Sequence, residues 1–247
     1  MIPIKSKEDL MMLRKSGMIL SKIMRRLQKF VKAGVSTYEI NQLAGELVQK
    51  EKVIAAFKGY NGFPENICTS VNEEVVHGIP SQRKLNEGDI VSLDLGINYK
   101  GYLCDGAITL PVGRLNPQAE KLIDVTKNAL LEGIKEARVN NHLSDISYAI
   151  QTFVERHGFS VVRQFVGHGI GYNLHEEPQI PNFGEPHQGE MLKSGMVLAI
   201  EPMVNMGTWE CKILENGWTA VTKDGLLSAH FEHTVAITDK GPEILTN

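Results

Sequence analysis

The chain is 247 residues long, carries a formal charge of −3 and is 42% hydrophobic. That length allows one large domain burying roughly 70–75% of its unfolded surface, and the slightly acidic balance argues against a nucleic-acid binder held by phosphate contacts. Three cysteines, Cys68, Cys104 and Cys211, form no CxxC pair, which argues against a disulfide framework or structural zinc and for reduced thiols.

The charged opening from Met1 to Asp9 contains no apolar core, and no run approaches the ~18 apolar residues of a membrane span. A cytoplasmic protein without a membrane partner is expected. Ser6 with Asp9 resembles an N-cap signal, and Leu10, Leu13, Ile19, Ile23, Leu27 and Phe30 recur at helical spacing, so a helix is predicted over 7–31, ended by Gly34. A second, over 37–52, buries Ile40, Leu43, Leu47 and Val48. Strands are predicted over 66–71, 90–97 and 102–112, then a helix opened by Pro117 through 137 and another capped by Ser144 through 157. Strands over 161–165, 197–205, 209–214 and 228–238 complete the chain.

This order uses one pattern twice. At an offset of 106 residues Thr37-Tyr-Glu-Ile40 aligns with Leu143-Ser-Asp-Ile146, and Leu47-Val48 with Phe153-Val154. The repeat implies two α/β halves, about 1–112 and 113–247, related by a pseudo-twofold and joined through one sheet. No linker separates them, so a single domain is expected.

The stretch Asp94-Leu-Gly-Ile-Asn-Tyr-Lys-Gly-Tyr-Leu-Cys-Asp105 organises the first half. A turn at Asn98-Tyr99-Lys100-Gly101 would pair its flanks as an antiparallel hairpin, with Asp94 directly opposite Asp105. Facing like charges destabilise a strand pair, and burial adds to the cost unless a positive charge lies between them. In the second half Glu201 and Glu232 likewise interrupt apolar strands, and His168 lies in Gly167-His-Gly-Ile-Gly171. Four carboxylates and one imidazole make a donor set suited to divalent Mn, Fe, Co or Zn. Two such ions match four carboxylates in charge and can activate a water between them.

The segments Glu73-Glu-Val-Val-His77-Gly-Ile-Pro80, Asp94 to Asp105, Gly167-His168-Gly-Ile-Gly-Tyr-Asn-Leu-His175-Glu-Glu-Pro178, Ile200-Glu201-Pro202 and Phe231-Glu232-His-Thr234 resemble, in order and spacing, the motifs of the methionine aminopeptidases. The resemblance covers nearly the whole chain. It implies an α/β (α+β) pita-bread fold around a central antiparallel sheet, and a hydrolase that removes the initiator methionine from nascent chains and peptides, preferring a small second residue. The short separation of Glu201 from Glu232 resembles the type I enzymes, and the lack of a zinc-binding extension the bacterial form.

In that family the equivalents of Asp94, Asp105, His168, Glu201 and Glu232 hold two divalent metal ions, Co, Mn, Fe, Zn or Ni. Glu201 also acts as acid and base, His175 stabilises the oxyanion, and His77 contacts the scissile amide or the residue after methionine. A free α-amine on one metal would explain why only the first residue is removed. By the same resemblance Tyr60, Phe63, Cys68, Leu174 and Trp218 hold the methionine side chain, where aromatic rings give favourable sulfur contacts. A monomer with no specific nucleic-acid partner, in transient contact with the ribosome, is implied.

Isolated histidines are more often structural than functional, and His142, His157, His187 and His233 are read that way. Three departures stand out: Gly106-Ala107 where hydroxyl residues are usual, Leu174 for an aromatic, and His230 for a glutamine. The rival readings are an Xaa-Pro aminopeptidase or dipeptidase of the same fold, which typically carries an additional N-terminal domain, and a non-catalytic ribosome- or RNA-binding protein.

Overall fold

A computed structural model describes residues 2–247. Its helices are α1 (Lys7–Phe30), α2 (Thr37–Lys50), α3 (Pro117–Glu136) and α4 (Leu143–Arg156), none long and apolar enough to cross a membrane. The start of α1 is the expected capping box: the Asp9 carboxylate accepts the Ser6 backbone N–H, and the Ser6 hydroxyl accepts that of Asp9. Ser36 and Glu39 repeat it on α2.

The cap of α4 differs from the expectation. It is His142, whose backbone N–H is accepted by Asp145, while Ser144 lies inside the first turn and its hydroxyl accepts from Gln188. The acid three residues into a helix marks the cap more firmly than the nearest serine does. With that correction α2 and α4 are both 14 residues long and superpose on the repeat at both ends. Equivalent isolated bridges, Ser36 to Lys84 and His142 to Met191, close the loop beneath each.

Every strand pair is antiparallel. The strands form one five-stranded ladder and four three-stranded ones, where longer runs had been expected. The breaks have a pattern. The run 90–97 divides into Ile90–Asp94 and Ile97–Tyr99, and the run 102–112 into Tyr102–Cys104 and Ala107–Pro111. The run 197–205 divides into Val197–Ile200 and Met203–Asn205, and the run 228–238 into Ser228–His230 and His233–Thr238. Each break falls at or just after one of the four acids. A continuous strand alternates its side chains strictly between faces, and a local break frees a carboxylate from that alternation.

The hairpin also differs in register. Ile97 pairs with Cys104 and Tyr99 with Tyr102, so the two-residue loop is Lys100-Gly101. Both have positive φ, 54° and 90°, the type I′ geometry whose twist suits adjoining strands, and the Asn98 side chain accepts the Gly101 N–H at 2.7 Å. Asp94 therefore pairs with Ala107, and Asp105 is its diagonal neighbour on the same face, still within side-chain reach.

The halves are stitched where Ala107 and Glu232 exchange backbone hydrogen bonds. On one side the Thr109 hydroxyl accepts the His230 N–H and donates to its carbonyl. On the other the Thr234 hydroxyl does the same for Asp105. The pseudo-twofold thus exchanges Thr109 with Thr234 and Asp105 with His230. Two apolar cores flank the seam, one around α1 and α2 that takes in Val197, Ala199 and Ala236, the other around α3 and α4 that takes in Ile90.

Candidate metal centre

His168 is delivered by the short strand Gly167–Gly169, which pairs with Glu176–Ile180 on one side and Val197–Ile200 on the other. The flanking glycines are required by close approach. A Cβ at Gly167 would fall 2.4 Å from the Ala199 carbonyl oxygen, and one at Gly169 2.2 Å from that of Glu177. His168 Nδ1 lies 2.9 Å from the Gly169 carbonyl oxygen. An N–H donated there leaves the Nε2 lone pair for a ligand.

The donor atoms of Asp105, His168 and Glu232, all buried, lie within 4.8 Å of one another. Glu201 Oε1 is 3.4 Å from His168 Nε2, and Asp94 feels the charges of both Asp105 and Glu201. The five predicted residues therefore converge from both halves. Desolvation, reinforced by mutual repulsion, pushes Asp94, Glu201 and Glu232 well above the carboxylate range. Burial takes Asp105 from 3.8 to about 7, opposed by the Gly106 N–H that it accepts at 2.8 Å. At this departure the backbone, rather than a hydroxyl side chain, supplies the hydrogen bond. Burial, with His175 nearby, lowers His168 to about 3, so its imidazole is neutral.

Asp94 Oδ1 and Glu232 Oε1 are buried without any hydrogen-bond partner. Unpaired carboxylate oxygens in such a place are costly, and a divalent cation answers both the missing charge and the open lone pairs. Four carboxylates with one neutral imidazole fit a hard or borderline divalent ion.

The acids open on a cavity of about 630 Å³ that Tyr60, Phe63, Cys68, Leu174 and Trp218 also line. Phe63 and Trp218 meet edge to face at 5.2 Å, and His77 lies edge-on to Trp218 and Phe165 at 6.3 and 5.5 Å. Burial lowers His77 to about 4. His175 stands at the exposed rim, its Nδ1 2.8 Å from the Tyr60 hydroxyl and its ring 4.3 Å from that of His168. Phe57, Gln164, Phe165 and Met203 are also in the wall. Sequence reasoning missed them, and the one available signal was the nearness of Phe165 to the Gly167-His168 motif. His157 and His233 bond elsewhere, to the Phe153 carbonyl and the Thr246 hydroxyl, while His142 and His187 flank Asp145.

A sequence profile of metallopeptidase family M24 matches residues 11–239. The chain is 51% identical over 246 residues to methionine aminopeptidase 1 of Bacillus subtilis, covering 100% of this chain and 99% of that protein. Its structure is similar to the crystal structure of methionine aminopeptidase from Rickettsia prowazekii, with a TM-score of 0.99, 39% identity and 100% coverage of both chains. It is also similar to an Xaa-Pro dipeptidase from Bacillus anthracis, with a TM-score of 0.79 at 21% identity, spanning 99% of this chain but 62% of that one. That likeness concerns the fold alone, which is the expected pita-bread architecture.

Proposed function

The chain belongs to metallopeptidase family M24, and on that premise we propose that it is a methionyl aminopeptidase, removing the N-terminal methionine from nascent proteins and peptides with a small second residue. The observation that carries the reading is the shared cavity: carboxylates with unpartnered oxygens open on the same space as an aromatic pocket. Asp94, Asp105, His168, Glu201 and Glu232 would hold two divalent ions, Co, Mn, Fe, Zn or Ni. Divalent cations, when bound, polarise a carbonyl and make a water nucleophilic near neutral pH.

Phe63, Trp218, Leu174, Cys68 and Tyr60 enclose the methionine side chain, whose polarizable sulfur gains from the aromatic edges. A centre holding such ions would take the substrate's free α-amine, so only the first peptide bond would reach His77 and His175. If the Tyr60 hydroxyl donates to Nδ1 of His175, the ring proton stays on Nε2, available to an oxygen that gains negative charge. Glu201 takes a proton from the attacking water and passes it to the leaving amine, as a carboxylate facing this cavity can. His77 meets the scissile amide or the second residue.

Both halves contribute to this one cavity, so in this reading the chain acts as a single catalytic domain. It works as a cytoplasmic monomer in passing contact with the ribosome. The deciding assay compares Met-Ala-Ser with Xaa-Pro peptides under the same divalent ion. Release of methionine without Xaa-Pro hydrolysis is expected, and the reverse preference would overturn the reading in favour of the proline-directed rival.

A further inference from the structure

His230 plays no part in the mechanism above, yet its position is built with care. It is 1% exposed, its backbone is gripped on both sides by the Thr109 hydroxyl, and its Nε2 is buried without a hydrogen-bond partner. That nitrogen faces the acid cluster, 3.7 Å from Glu201 Oε2. By the pseudo-twofold His230 occupies the place that Asp105 takes in the other half, whose backbone Thr234 grips in the same way.

Glu201 therefore sits between two imidazoles, with Oε1 facing His168 and Oε2 facing His230. The two are not equivalent. His168 turns Nδ1 to the Gly169 carbonyl, so the nitrogen it presents to Glu201 is the one that a cation would occupy. An imidazole bound in that way has no N–H left for Glu201. Among the groups around this carboxylate, His230 is the nitrogen still free to donate.

We propose that His230 is a positioning residue that donates its Nε2–H to Glu201 Oε2 and so holds the carboxylate with Oε1 on the ligand side of the cavity. The 3.7 Å separation exceeds a hydrogen bond, and a small rotation of the Glu201 side chain closes it. This inference rests on the metallopeptidase reading and adds a residue to it. Partners that orient a metal-binding side chain are worth about 10–100-fold in metal affinity or activity.

The test replaces His230 with leucine, which fills the space without a donor, and with glutamine, which keeps one. For wild type, H230L and H230Q, Co²⁺ binding to metal-free protein is measured by calorimetry and the visible absorption of the bound ion recorded, beside kcat and KM for Met-Ala-Ser. H230L is expected to bind Co²⁺ about 10–100-fold more weakly, with an altered spectrum and a loss that falls on kcat rather than KM. H230Q should recover most of the affinity and the spectrum. Wild-type Co²⁺ affinity and spectrum in H230L, or a defect in H230Q as large as that in H230L, would overturn the proposal. If H230L does not fold, H230M, which also fills the space without a donor, takes its place against H230Q and wild type by the same two readouts. Cobalt binding is read without substrate, so a wild-type protein that binds the ion but leaves Met-Ala-Ser intact would sink the peptidase reading and leave the His230 comparison standing.

Discussion

Loading the centre with metal should release protons, and the number released follows from the four acids. Asp105, raised to about 7 by burial, is roughly nine-tenths protonated at pH 6 and one-tenth at pH 8. Asp94, Glu201 and Glu232 are likewise raised well above the carboxylate range, whereas His168, lowered to about 3, has no proton to give at either pH. Ligand carboxylates must ionise to bind a cation, so Mn²⁺ binding at pH 6 should expel at least about one proton per chain, with the Asp105 share fading by pH 8. Calorimetric titration in buffers of different ionisation enthalpy reads this number from the slope of heat against buffer enthalpy. The linked stability has a definite sign. A carboxyl whose folded pKa is raised contributes stability that is full below its unfolded value of 3.8 and is lost as the pH rises through about 7. The melting temperature gained on adding metal should therefore grow between pH 5 and pH 8. A buffer slope of zero at pH 6, or a metal-induced gain that shrinks over that range, would refute the argument that these acids stand uncompensated without metal.

Three further outcomes are expected. Alanine at His168 or Glu201 should abolish release of methionine from Met-Ala-Ser while circular dichroism stays that of the wild type, and full activity in either variant would remove that residue from the site. Trp218→Ala takes away the ring that packs against Phe63 and His77, so the ratio of kcat/KM for Met- over Leu-initiated tripeptides should fall by about 10-fold or more, within the range set by lost pocket contacts; an unchanged ratio would put the methionine pocket elsewhere. Gly169→Ala would drive a Cβ to 2.2 Å from a backbone oxygen, and overpacking of this kind costs about 1–3 kcal/mol. At about 2–4 °C per kcal/mol for a chain of this size, thermal denaturation should show a loss of several degrees, together with weaker metal binding.

Much of this architecture could be read from local chemistry. The Ser6 capping box and the repeat that aligns α2 with α4 depend on interactions a few residues apart, and they stand as expected. The long strands were legible as apolar runs but their interruptions were not, because apolar alternation carries no mark of the place where a backbone kinks to aim a carboxylate. Hairpin register depended on which pair of residues would take positive φ, and Lys100-Gly101 does so with help from the Asn98 side chain. The acids could be named from their presence in buried strands, and their convergence required the second half of the chain to fold against the first. Phe165 and the hydroxyl grips of Thr109 and Thr234 serve the site through contacts distant in sequence, which no single stretch announces.

The proposed chemistry depends most on acids of both halves sharing divalent ions. Crystals grown with Mn²⁺ and measured at the manganese absorption edge test this directly. Two anomalous peaks about 3.5–4 Å apart, bounded by Asp94, Asp105, His168, Glu201 and Glu232, are the predicted result. Manganese bound elsewhere with these five side chains unligated would contradict it.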